Sequence, residues 1–387
     1  MFDLIQNIFT DYTIRIVSLG AVIVGAVSGA LGCFAFLRRQ SLVGDVVAHS
    51  SLAGITIAFL LSYIFTGSGT KQMPILLIGA AISGILSMWL VSGIIKNTRI
   101  KSDSALGVML AVFFGTGVFF IKYIQQRPIA NKAGLEDYIF GMAATITFND
   151  LIYMLILGFI SFLLMFLFWK EFKIFSFDEQ FTESIGFKSQ TIELLINAAL
   201  VLAIISGLQA VGVILMVALI VAPASAARQW TNSLSVMVVL AAFFGGLSGL
   251  VGALLSSTFS NLPTGPTIVL TITSIFLFSL LFAPQRGLLS KFWRERTVRN
   301  KIRLKSVLLD LHLLELNHPE RMFTGHHPEV LKTMTSGKIG VKRSLKMLFA
   351  LQLVEYNGDN LWVLSDKGKI KAEEILKNVN KELELEE

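Results

Sequence analysis

Apolar residues gather in long blocks over the first three quarters of the chain, and short polar clusters separate them. Crossing the hydrocarbon of a bilayer, about 30 Å, takes roughly 20 such residues in a helix. Blocks of that length fall at 13–37, 42–65, 74–95, 105–124, 150–169, 233–256 and 267–284. One run, Thr191 to Arg228, is too long for a single untilted crossing, and Gly207 and Gly212 sit near its middle. Divided there, it gives crossings at 191–207 and 209–226. The pattern therefore predicts about nine transmembrane helices, with eight and a re-entrant helix as the alternative. The stretch 137–147 is too short to span and reads as an interfacial or half-inserted helix.

After residue 284 the pattern changes. Leu304–Leu316 has helical periodicity, Pro328–Thr335 could start a second helix, and Lys338–Leu353 reads as a third. That third segment sets Lys342, Arg343 and Lys346 opposite Leu345, Leu348 and Phe349. Leu353–Tyr356 and Leu361–Leu364 then flank Asn357-Gly358, a hairpin signal, and Ser365–Gly368 leads into a charged helix. The chain reads as an all-α polytopic membrane unit over 1–285, a basic juxtamembrane linker over 286–303, and an α+β unit over 304–387.

Composition sharpens this division. Hydrophobic residues are 54% of the 387 and charged residues 15%, a membrane-protein balance. The stretch after residue 284 nevertheless holds 19 of the 33 Lys and Arg, which marks it as the solvated part. The lone Cys33 lies within a span and excludes an intramolecular disulfide. Met1–Thr10 lacks basic residues and an apolar core, so no cleavable signal peptide is expected.

Charge also sets an orientation. Arg38-Arg39, Lys96–Lys101, Lys170, Lys173, Lys188, Arg228 and the basic tail fall on one side of the nine-helix scheme. The positive-inside rule makes that side cytoplasmic and puts the N-terminus outside, with Lys71, Lys122, Arg127 and Lys132 as an external minority. Residues 286–305 hold eight basic residues against one acid, Glu295, and are expected to touch anionic membrane lipid. Small residues recur every four positions at Ala21/Gly25/Gly29, Gly79/Ser83/Ser87 and Gly245/Gly249/Ala253, a signal for close helix packing.

Asp45 and His49 break the apolar run from Leu42 to Phe65, and His49 is the only histidine before residue 312. Four residues apart on a helix, they share a face. Such side chains are costly in hydrocarbon unless they meet the protein interior, a partner or an ion. Asp45 could simply cap its helix and His49 could bond a neighbour. As ligands, a carboxylate and an imidazole suit Mn²⁺, Fe²⁺ or Zn²⁺ better than Cu(I). Two ligands do not close a site, so the rest must come from other spans, backbone carbonyls, water or a second subunit.

Four ordered segments carry a resemblance. Arg38-Arg39-Gln40-Ser41-Leu42-Val43-Gly44-Asp45-Val46-Val47-Ala48-His49 resembles the Arg-Arg…Gly-Asp-x-x-x-His segment of ABC-type metal-uptake permeases (the zinc, manganese and iron importers). Phe177-Asp178-Glu179-Gln180-Phe181 with Gly186 is similar to that family's ATPase-coupling loop. Gln209–Leu215 leading to Ala222-Pro223-Ala224 resembles its late span, and Leu262–Val269 its last extracellular turn. The resemblance implies that Asp45 and His49 help coordinate an ion in transit and that 171–189 docks on a cytoplasmic ABC ATPase. It also implies a second permease subunit, identical or related, and an extracytoplasmic metal-binding protein. The chain has no Gly-x-x-x-x-Gly-Lys-Ser/Thr loop, so it is expected to be no enzyme, with hydrolysis on a separate subunit. No resident cofactor is expected, only the transported divalent ion. The few histidines of the membrane part tilt the expectation toward manganese or iron.

The tail resembles a winged helix of the diphtheria-toxin-repressor type. Tethered to a membrane, it is expected to regulate or to contact other subunits rather than bind nucleic acid. His312, His318, His326 and His327 could form a metal sensor, but solvated surface histidines are the expected state. Two rival functions stand beside the importer: an ion-coupled secondary transporter using Asp45 as carrier, and a membrane-anchored metal-responsive regulator.

Overall fold

Asp11 starts the first helix: its carboxylate accepts the Thr13 and Ile14 N–H groups at 2.8 and 3.3 Å and caps α1, Tyr12–Leu37. The computed structural model describes residues 11–40, 42–66, 72–129, 141, 146–259, 262–317, 325–334, 340–358 and 360–383. Helices α2 (Val43–Thr66), α3 (Met73–Asn97) and α4 (Ser102–Gln125) follow in turn. Thr147 and Asp150 form a reciprocal capping box that starts α5, Phe148–Leu167. Two short helices, α6 (Trp169–Phe177) and α7 (Glu179–Ser184), precede α8 (Ser189–Val211), α9 (Val213–Trp230), α10 (Leu234–Thr258) and α11 (Thr264–Phe282).

Among the described residues, eight of these helices are long and apolar enough to cross a membrane. The ninth expected crossing corresponds to α9, a shorter apolar helix of 18 residues with Pro223 inside it. The long run from Thr191 does divide, but at Gly212 and not at Gly207. Gly212 takes φ +85°, ψ 163°, which only glycine adopts without strain. Gly207 continues the helix and makes room for Val24 and the Met216 sulfur. The expected interfacial helix at 137–147 lies almost wholly outside the described residues.

The bundle core is sealed by backbone contact. A β-carbon on Gly25 would collide with the Gly245 carbonyl, and one on Gly249 with the Ala21 carbonyl. The pairs 21/249, 25/245 and 29/241 run in opposite numerical order, so α1 and α10 are antiparallel along this seam. Lipid gives helices no hydrophobic reason to associate, and close approach of small residues supplies dispersion instead. Helices α5 and α8 are likewise antiparallel. Ser161 Oγ donates to the Ala199 carbonyl at 2.7 Å, and Gln209 Nε2 donates to Asp150 at 3.2 Å. One end of the bundle therefore gathers the ends of α1 and α5 with the starts of α2 and α8.

The chain divides into two compact units after Leu288. The helix α12 (Leu288–Asn317, 30 residues) begins at that boundary, and its first half takes in most of the expected juxtamembrane linker. Then come α13 (Pro328–Met334), α14 (Val341–Ala350), strands β1 (Val354–Tyr356) and β2 (Trp362–Leu364), and α15 (Asp366–Leu383). The strands pair antiparallel with Glu355 opposite Val363. Their connection is a five-residue loop in which Asn357 N–H donates to the Leu361 carbonyl at 3.0 Å. It is not the two-residue turn that Asn357-Gly358 suggested, since Gly358 has positive φ and Asn357 does not. Val307, Leu311, Leu331, Leu345, Val354 and Leu364 form the second unit's buried core.

Candidate functional site

Asp45 lies in the first turn of α2, where its carboxylate suits the positive end of the helix dipole, and His49 lies one turn further in. Both are half-buried on the same face. The His49 ring sits edge-on to Phe114 of α4, with centroids 4.6 Å apart. Its Nδ1 is buried and has no hydrogen-bond partner among the described residues. An unsatisfied buried nitrogen costs about 1–3 kcal/mol, a loss that a bound cation reverses. A free imidazole nitrogen one turn from a carboxylate fits the O/N donor set of Mn²⁺ or Zn²⁺.

No cluster of three or more His, Cys, Asp or Glu exists among the described residues. Helix α4 packs chiefly on α2 and α3 and leaves Val108, Val112, Phe114 and Phe119 outward. Phe114, the ring against His49, therefore stands at an exposed face.

Serine hydroxyls hold α2 in place beside the ligands, and the sequence pattern marks them only as small residues. Ser83 Oγ of α3 donates to the Ser50 carbonyl at 2.7 Å, and Ser87 Oγ donates to Ser50 Oγ at 3.0 Å. The contacts follow from the stripe Gly79/Ser83/Ser87, which turns toward α2 at Gly54.

The expected coupling residues occupy one protruding element. Phe177 ends α6, and Asp178 caps α7 by accepting the Phe181 N–H at 2.9 Å. Glu179 opens α7, and Gly186 closes the turn after it with φ +91°. All four are exposed. So are Phe181, Ile185 and Phe187, at 53%, 44% and 42% of their surface, which leaves aromatic and aliphatic side chains uncovered on a solvated turn. Patches of this kind mark contact surfaces.

The tail histidines depart from expectation. His312 and His326 are buried, not solvated, and His318 lies outside the described residues. His326 pairs its backbone with Trp362 as an isolated bridge. His327 Nδ1 accepts the Glu329 N–H at 3.3 Å, so that nitrogen serves the start of α13. Glu315, also buried, accepts the Leu364 N–H at 2.8 Å and lies 3.8 Å from Lys369 Nζ. These residues finish the open edge of β2, a structural use that the sequence pattern does not disclose.

Comparisons with known proteins bear on the membrane unit. Residues 10–283 match the ABC 3 transport family. The chain is 47% identical over 294 residues to the zinc transport system membrane protein TroC of Treponema pallidum, covering 76% of this chain and 97% of that one. It is 40% identical over 293 residues to the manganese transport system membrane protein MntC of Bacillus subtilis, covering 76% of this chain and 66% of that one. Among solved structures, PsaBC from Streptococcus pneumoniae in complex with Fab aligns with a TM-score of 0.64 at 30% identity, over 74% of this chain and 98% of that one.

Proposed function

The chain belongs to the ABC 3 transport family, and from that premise we propose that Asp45 and His49 form half of the site through which its metal passes. The protein is a permease subunit of an ATP-binding-cassette metal importer, a multi-pass membrane protein and not itself an enzyme. It works with an ATPase and a metal-binding protein. Neither the secondary transporter nor the anchored regulator needs those subunits, so both give way to the importer.

The observation that carries the site is the free, buried His49 Nδ1 one turn from Asp45. Two fixed ligands hold an ion weakly enough to release it. A second permease chain, identical or related, approaches the open face of α4 and completes the coordination. Motion of the ATPase reaches the site through the exposed turn around Phe177, Asp178, Glu179 and Gly186. The transported ion is Zn²⁺ or Mn²⁺, which both accept oxygen and nitrogen ligands. Relatives of this chain are named for one and for the other, so a low histidine count is no argument against zinc.

The end of the bundle that bears Arg38 faces the cytoplasm, as its basic residues favour, and the N-terminus lies outside. The basic half of α12 meets anionic lipid. The tail unit is a cytoplasmic winged helix. Its three helices, hairpin and final helix follow the order of that fold, and α14 turns Lys342, Arg343 and Lys346 outward over a buried Val341, Leu345 and Leu348. Its role is regulation or subunit contact.

Reconstitution of the whole transporter tests the reading. ATP-dependent uptake of Mn²⁺ or Zn²⁺, with Fe²⁺ as a third arm, is the expected result. Uptake that persists without the ATPase, or is absent for every metal, overturns it.

A further inference from the structure

Building on the reading of 171–189 as the ATPase contact, we propose that Arg38 is a positioning residue that ties that contact to the helix carrying Asp45 and His49. Its guanidinium locks three elements into one register, so that displacement of the coupling turn displaces the start of α2.

Three elements meet at this cation. Arg38 ends α1, where its N–H donates to the Phe34 carbonyl at 3.1 Å. Its Nη2 donates to Glu193 Oε1 of α8 at 3.2 Å, and the two side chains keep only 10% and 12% of their exposure. The guanidinium carbon stands 5.0 Å from the centroid of Phe175 on α6, a cation–π contact. Phe34, one turn earlier on α1 and fully buried, meets Trp169 and Phe172 of α6 edge-on, at 6.0 and 5.7 Å.

Stability alone does not explain such a pair. Desolvation offsets most of the attraction between buried charges, and well-packed hydrocarbon would join three helices equally well. An ion pair adds geometry. Arginine's planar fork bonds Glu193 and covers Phe175 only when α1, α6 and α8 are in register. Nη1 remains buried without a hydrogen-bond partner among the described residues, so the contact is not saturated for stability.

From Arg38 the path to the site is short. Only residues 38–42 separate α1 from α2. Gln40 N–H donates back to the Ala35 carbonyl at 3.1 Å, and Val43 N–H to the Gln40 carbonyl at 3.3 Å. Arg39 takes φ +56°, which folds the turn tightly. A turn bonded to both helices passes a shift of one to the other. Asp45 stands seven residues from Arg38.

The test uses the complete transporter in proteoliposomes and reads Mn²⁺ or Zn²⁺ moved per ATP hydrolysed. Arg38→Gln and Glu193→Gln are each expected to bind the ATPase and hydrolyse ATP near the wild-type rate while the metal-to-ATP ratio falls about tenfold. The double variant is expected to be no worse than either single one, as for residues acting as a unit. Arg38→Lys, which keeps charge but not the planar stack, is expected to fall between. Should Arg38→Gln fail to assemble, Glu193→Gln decides alone. An unchanged ratio overturns the proposal, and so does loss of ATPase binding in step with transport, which marks a merely structural role. Phe181→Asp separates the two readings. If it leaves the ATPase bound, the coupling assignment itself fails; if it releases the ATPase while Arg38→Gln keeps a normal ratio, only the Arg38 proposal fails.

Discussion

The Ser83 hydroxyl donates to the Ser50 carbonyl at 2.7 Å, one residue along the chain from His49. A helical carbonyl that already accepts within α2 is thereby bonded to α3 as well, and His49 is held at a fixed distance from that helix. Interhelical hydrogen bonds in membranes contribute about 0.6 kcal/mol on average, close to a threefold change in an equilibrium constant. Ser83→Ala is expected to weaken metal binding about threefold without unfolding the bundle, measured by metal titration of the purified complex. An effect as large as that of removing a ligand would show that the hydroxyl binds the ion directly.

His49→Ala and Asp45→Asn remove a candidate ligand each. Disturbing even the groups that orient metal ligands typically costs about 10–100-fold in affinity, so each change should lower uptake by at least tenfold. Because His49 Nδ1 is an unpaired buried atom, its removal should leave thermal stability in detergent unchanged or slightly raised. Unchanged uptake of Mn²⁺, Zn²⁺ and Fe²⁺ by both variants would remove the site assignment.

The seam between α1 and α10 has no room for side chains at Gly25 and Gly245. Gly25→Leu must push the helices apart, and overpacking typically costs about 1–3 kcal/mol or more. The expected outcome is a chain that elutes as aggregate or melts well below wild type on size-exclusion after heating. Gly93→Leu is the control, because a β-carbon there meets nothing within 4 Å.

In the second unit, Glu315→Ala leaves the buried Leu364 N–H without an acceptor, at about 1–3 kcal/mol. Hydrogen exchange at β2 should quicken by roughly tenfold or more, since about 1.4 kcal/mol is a factor of ten. Glu315→Gln keeps a carbonyl acceptor and should retain most of the protection. Equal exchange in wild type and Glu315→Ala would mean that the bond contributes nothing to closing the hairpin.

Half of the candidate site is legible in the sequence. Asp45 and His49 stand out because ionisable residues are rare in apolar blocks and because spacing of four fixes a common helix face. Glu193 carries the same signal, a carboxylate four residues into an apolar helix, but nothing along the chain connects it to Arg38, which reads as a positive-inside charge. The serines give no signal of their own, since a hydroxyl in a small-residue stripe serves packing and hydrogen bonding alike. His312 and His326 mislead for a related reason. The Gly- and Pro-flanked stretch around His326 suggests solvent, while the strand edge buries that residue, and the packing of α12 buries His312.

By itself the sequence determined the lengths of the apolar helices, the change of character near residue 285 and the shared face of Asp45 and His49. Each follows from a local quantity, either hydrocarbon thickness or the helical period. Tertiary structure decided where the long run breaks, which glycines touch, and that Arg38 meets Glu193 from 155 residues away. Those contacts depend on how rigid helices pack side by side, and no period along the chain encodes which helix becomes whose neighbour.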